Sequence, residues 1–143
     1  MSYNTDNADI RTFRPHGRVE FSAISNNTVL YKCFGPFNSE VISALKVVHE
    51  EVLKNYPHRK EIVLFENSCV GIEELLVALT KYLQELKLQD VAPTATVFVI
   101  SPEIEGKCLM ANKYKKCYQV SGIPFIEVET IEEAQSWLEQ FNE

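Results

Sequence analysis

The sequence predicts an α/β domain, a mixed and mostly parallel five-stranded sheet with four helices in the order β-β-α-β-α-β-α-β-α. Three observations lead there. Ile62-Val63-Leu64-Phe65 is apolar on successive residues rather than in alternation, the pattern of a strand covered on both faces. A polar turn and an amphipathic helix follow, and the same strand-then-helix alternation recurs twice toward the C-terminus, as a parallel sheet with helical crossovers requires. Upstream, two strand-like runs joined by Ser25-Asn26-Asn27-Thr28 supply one antiparallel hairpin.

The elements are justified in order. Residues 1–17 are polar and aperiodic, with Pro15 and Gly17 closing the segment, and read as a flexible arm before a single domain over residues 18–143. Arg11, Arg14, His16 and Arg18 make that arm mildly basic, the composition of a solvated tail. Residues 19–24 and 29–34 are the hairpin strands; asparagine tolerates positive φ, so Asn26-Asn27 suits a tight turn. Gly35-Pro36 stops the second strand. Asn38 is then a candidate N-cap, with Phe37 before it and Ile42 four residues after it in the spacing of a hydrophobic staple. The first helix should bury Val41, Leu45, Val48 and Val52, leave His49 partly exposed, and end at Asn55-Tyr56-Pro57.

The third strand is the apolar run 62–65, and Ile72, Leu75, Leu76, Leu79, Leu83 and Leu86 form the buried stripe of the second helix. Residues 96–100 are β-branched and aromatic, the fourth strand. Ser101-Pro102-Glu103 has the signature of a helix start, and Gly122 can supply the left-handed residue that ends that helix. Met110, Tyr114 and Tyr118 read as its core face. Phe125–Val128 is a short fifth strand. Thr130-Ile131-Glu132-Glu133 is a capping box, and Ala134, Trp137, Leu138 and Phe141 make the last buried stripe.

Composition excludes several classes. A formal charge of −6 leaves no excess of positive charge to release counterions, so no nucleic-acid partner is expected. No apolar run approaches the roughly 18–20 residues of a membrane span, and the first residues lack a basic-then-apolar secretory pattern, so no membrane insertion and a cytoplasmic location are expected. Cys33, Cys69, Cys108 and Cys117 form no Cys-x-x-Cys pair, and His16, His49 and His58 lie at no metal-ligand spacing. No Ser/His/Asp order, glycine-rich phosphate loop or spaced carboxylate pair is present. The expectation is a protein without catalytic residues, cofactor or metal.

Two places are left for function. Ligands and modifications gather at the carboxyl ends of strands in such sheets, where Asn67, Ser68, Cys69 and Gly71 fall. A phosphate on Ser68 would meet the amino end of the second helix, but Glu66, Glu73 and Glu74 would repel it, and a serine there also serves simply to satisfy turn backbone. Cys69 reads as a small buried hydrophobe, since acids flank it and no histidine is near in sequence. Lys107, Lys113, Lys115 and Lys116 are the one basic concentration, either a solvated helix face or an anion site.

Gly35-Pro36-Phe37-Asn38 opening the first helix, and the closing Ile131-Glu132-Glu133-Ala134-Gln135-Ser136-Trp137-Leu138, give the chain a resemblance to the STAS-like domains over about residues 18–141. These are bacterial relatives of anti-sigma-factor antagonists, with distant kinship to Sec14-type lipid-binding domains. The resemblance implies a regulatory or interaction domain acting through protein–protein contacts. The Sec14 kinship implies the alternative, a small or lipidic ligand held between the second and third helices with the lysines at the mouth. Antagonists of that family carry an Asp-Ser-Ser/Thr-Gly-type motif at the turn after the third strand. Here it reads Glu66-Asn67-Ser68-Cys69-Val70-Gly71: the serine and glycine are present, the motif is not. A protein partner is expected, and the unpaired outer edge of the hairpin leaves homodimerisation open.

Overall fold

A computed structural model describes residues 2–4, 17–25 and 27–141, with backbone only for Ser2–Asn4 and Val48. The strands are β1 (Ser2–Asn4), β2 (Arg18–Ala23), β3 (Thr28–Phe34), β4 (Lys60–Phe65), β5 (Ala95–Val99) and β6 (Phe125–Val128). The helices α1 (Glu40–Asn55), α2 (Glu73–Leu88), α3 (Lys107–Val120) and α4 (Ile131–Leu138) follow β3, β4, β5 and β6 in turn. The strands lie in chain order across one sheet; β1–β2 and β2–β3 are antiparallel and every pairing from β3 to β6 is parallel. Sequential parallel strands joined by crossovers of one hand place their connecting helices on the same face. Accordingly α1, α2 and α3 share one core with Phe21, Tyr31, Val63, Phe65 and Phe98, while α4 alone covers Ile62, Ala95, Val97 and Val99 on the other face.

The five expected strands are all present, and the sheet gains a sixth. Ser2–Asn4, read from sequence as part of a loose arm, pairs Tyr3 opposite Phe21 and covers the outer edge of the hairpin. A polar segment carries no periodic signal, and its strand exists only because β2 offers an edge. Residues Arg11, Arg14, Pro15 and His16 of the arm, and Asn26 of the hairpin turn, lie outside the described residues.

Local departures have physical reasons. Ser39, not Asn38, occupies the N-cap of α1, with no side-chain cap bond; the staple side chains Phe37 and Ile42 are both buried. Val41 and Val52 are buried as expected and Leu45 is half-buried, while the Val48 side chain is outside those described. Ile72 is the N-cap of α2 and half-exposed, and Tyr82 joins Leu75, Leu76, Leu79, Leu83 and Leu86 on the buried face instead.

The helix expected from Ser101 begins only at Lys107. Glu105 is held in extended pairing with the turn after β4, Cys69 N donating to Glu105 O at 2.9 Å and Glu105 N to Asn67 O at 3.2 Å, which removes those groups from any helix. Gly106 then turns the chain at φ +86°, where a Cβ would meet Val70 Cγ2 at 2.5 Å; glycine alone accepts both demands. At the far end Ile123 N reaches Tyr118 O beyond Gly122, at φ +71°. Thr130 caps α4 by accepting from Glu133 N at 3.2 Å.

Candidate functional site

The turn after β4 brings Asn67, Ser68, Cys69 and Gly71 together, and the structure shows what each does. Asn67 fastens two loops: its Oδ1 accepts from Gly35 N at 3.0 Å and Ser68 N at 2.8 Å, and its Nδ2 donates to Gly35 O at 3.0 Å. Ser68 is buried, and its hydroxyl oxygen accepts from Val70 N at 3.1 Å, closing the turn on itself. A kinase would reach that hydroxyl only by opening the turn. Cys69 is fully buried, its Sγ 3.5 Å from Glu105 O. Burial, with Glu127 and Glu105 nearby, pushes its thiol up to about 11, against thiolate formation. Gly71 bridges Phe37, and a Cβ there would lie 2.1 Å from Leu75 Cδ2. The four residues join three segments of chain.

The four lysines separate. Lys107 pairs with Glu129 at 2.7 Å and with Glu127 at 3.8 Å. Lys115 lines a separate hollow with Phe125 and Glu127. Lys113 and Lys116 instead face α2 across a groove of about 600 Å³, where Lys81 joins them. Leu76, Val77, Cys117 and Val120 form its apolar floor; Glu73, Thr80 and Gln84 complete the rim. Val77 and Val120 are 62% and 56% exposed, large apolar side chains set between three ammonium groups in an acidic chain. The parallel run of α2 and α3 produces the groove, and no single stretch of sequence displays it.

A third constellation lies inside. Sequence periodicity places His49 on a partly exposed position; it is 1% exposed. The correction follows from its partners, which the sheet supplies. Arg59 and Glu61 enter the interior from β4 and its approach, Tyr31 from β3, Tyr82 from α2 and Thr96 from β5. Arg59 Nε donates to Glu61 Oε2 at 2.8 Å and to the Tyr31 hydroxyl at 3.3 Å; its Nη1 donates to Val91 O at 2.9 Å. Tyr31 donates to Glu61 Oε2, so its oxygen accepts from His49 Nε2, 2.9 Å away. That assignment makes His49 Nδ1 the acceptor of the Tyr82 hydroxyl proton. Donation therefore runs Tyr82 to His49 to Tyr31 to Glu61, with Thr96 Oγ1 bonding Glu61 Oε1 at 3.2 Å.

The chain of donors needs His49 neutral, and burial, then the Arg59 charge, lowers its pKa well below the ordinary value. Burial and the Glu61 carboxylate raise Tyr31. For Arg59 burial acts downward, but Glu61 and Tyr31 outweigh it and hold the guanidinium charged. An arginine and a glutamate at i, i+2, where β4 begins, are the trace of this network in the sequence.

Cys33, Cys69, Cys108 and Cys117 are free thiols, and among the described residues no three metal-ligating side chains converge. No described helix is long and apolar enough to cross a membrane. Fold and sites together define an α/β domain with an external basic-apolar groove and an internal polar network. Comparison with protein-family models, curated proteins and solved structures finds no match to this chain.

Proposed function

We propose that the chain is a STAS-like regulatory or interaction domain without catalysis, which works in the cytoplasm by docking an acidic amphipathic segment of a protein partner. One observation carries the reading: the α2/α3 groove exposes Val77 and Val120 between Lys81, Lys113 and Lys116. An apolar floor with a rim of three lysines and one glutamate, Glu73, fits a helix that presents a few aliphatic anchors and flanking carboxylates. The turn at residues 67–71 supports this face from beneath, as Tyr114 of α3 donates to Cys69 O at 2.8 Å. The groove volume also lies within the roughly 300–1,000 Å³ of ligand clefts, which favours an anionic amphiphile as the second reading.

A labelled acidic amphipathic peptide and its charge-inverted counterpart, titrated in parallel with anionic vesicles, test both. The proposal expects saturable binding of the acidic peptide alone, reduced at least about ten-fold by Lys113→Glu with Lys116→Glu. Binding to vesicles and not to peptide establishes the second reading, and binding to neither removes the groove as a functional site.

A further inference from the structure

Between the sheet and α1–α3 lies a cavity of about 90 Å³, distinct from the external groove. All of its lining side chains are buried except Leu45, which is half-buried on α1. Its walls are apolar, with Val63, Leu79 and Leu83 among them, and Tyr31, His49, Glu61 and Tyr82 of the network line it together with Tyr114 and Tyr118. Water needs roughly two to four polar partners to stay in such a space, so the aliphatic part is not a site for water.

The network's hydrogen-bond directions say what the polar end still offers. Tyr82 donates its hydroxyl hydrogen bond to His49 Nδ1 and keeps lone pairs on its oxygen. Glu61 Oε1 takes one bond, from Thr96. The Tyr31 hydroxyl is committed as a hydrogen-bond donor to Glu61 Oε2. What remains at Tyr82 and Glu61 is acceptor capacity; the buried donor left without a partner among the described residues, Arg59 Nη2, does not line the cavity, and the Tyr118 hydroxyl can still donate to a ligand oxygen. The carboxylate charge is already met by Arg59, so a cationic ligand would bring a buried charge with no counter-ion and an anion would face a carboxylate.

We propose that this cavity binds a small neutral molecule with a compact apolar body and one hydroxyl or N–H donor, the donor directed at Tyr82 and Glu61. A cavity of about 150 Å³ admits the six carbons of benzene, so one of this size limits the ligand to on the order of four non-hydrogen atoms. Leu45 is the least buried of the lining side chains.

The test uses the full chain with methyl groups labelled for NMR, titrated with 1-propanol and with its isomer ethyl methyl ether, which has the same atoms and no donor. Propanol should shift the Val63, Leu79 and Leu83 methyls saturably, and bind about ten-fold more tightly than the ether, the worth of one net hydrogen bond. Tyr82→Phe should bring the two ligands within about two-fold of each other. Leu79→Phe, which fills the space without touching the network, should abolish saturable shifts with both. Absence of saturation in the native chain overturns the site. Equal affinity for alcohol and ether overturns the donor requirement, and shifts of equal size at Val97 and Val99 on the far face would show only a solvent effect.

Discussion

The same strands build both faces of the sheet, and the faces differ in kind. Under α4, Ile62, Ala95, Val97 and Val99 meet Ala134 and Leu138 in a small apolar cluster. Under α1–α3, residues one position along, Glu61 and Thr96, enter a larger core that holds an ion pair, a neutral histidine and a cavity. Alternation along a strand separates the two completely, since side chains one apart point to opposite faces. The first face does one job, holding α4 on. The second holds polar groups whose burial costs free energy unless each is matched, an arrangement that apolar residues could replace without loss of stability. Expensive features retained on one face and absent from the other mark where specific chemistry sits.

The largest effect should come from breaking the ion pair. Arg59→Met leaves the Glu61 carboxylate buried without its partner and should cost about 3–5 kcal/mol in denaturant unfolding. Adding Glu61→Leu should recover most of that loss. A double variant as unstable as the single one would mean that the network holds the fold together, erasing the contrast between the faces.

Next is the response to added volume. Val97→Ile under α4 has no space to enter and should cost about 1–3 kcal/mol, whereas Val63→Ile grows toward the cavity and should be neutral or stabilising. Similar costs at both positions would mean the two cores are equally filled.

Acid should act through the network face. The folded pKa of His49 lies below its unfolded value of 6.5, so the unfolded chain binds more protons between those two values. Stability from this group is complete above about pH 6.5 and is lost as pH falls toward the folded pKa, at up to about 1.4 kcal/mol per unit. His49→Gln should flatten that slope. An unchanged slope would assign the acid response to other groups.

Thr130→Ala should have a smaller effect, about 1 kcal/mol, through loss of the cap of α4. Hydrogen exchange should show that loss in α4 and the α4 side of β5, with α1–α3 unchanged.

The sequence showed the first face and the frame well. Thr130-Ile131-Glu132-Glu133, the apolar run in β4 and the leucines of α2 are local patterns read within one element. It showed the network poorly. The periodicity around His49 fits an exposed position, and its burial follows from Tyr31 and Tyr82, eighteen and thirty-three residues away in the chain. Ser68 was visible at the correct junction, but the bond that engages its hydroxyl depends on the turn's own closure. The lysines were visible as a concentration, while their division depends on α2, β6 and the loop after it.

What the sequence determined by itself, therefore, is the α/β alternation, the hairpin, the cap of α4 and the apolar faces, because each rests on residues within a turn or two of one another. Only the tertiary structure decided the pairing of Ser2–Asn4 with β2, the delayed start of α3, the basic groove and the network around His49. Those depend on contacts between distant segments, where a backbone group or a buried charge takes the partner that the folded chain brings to it.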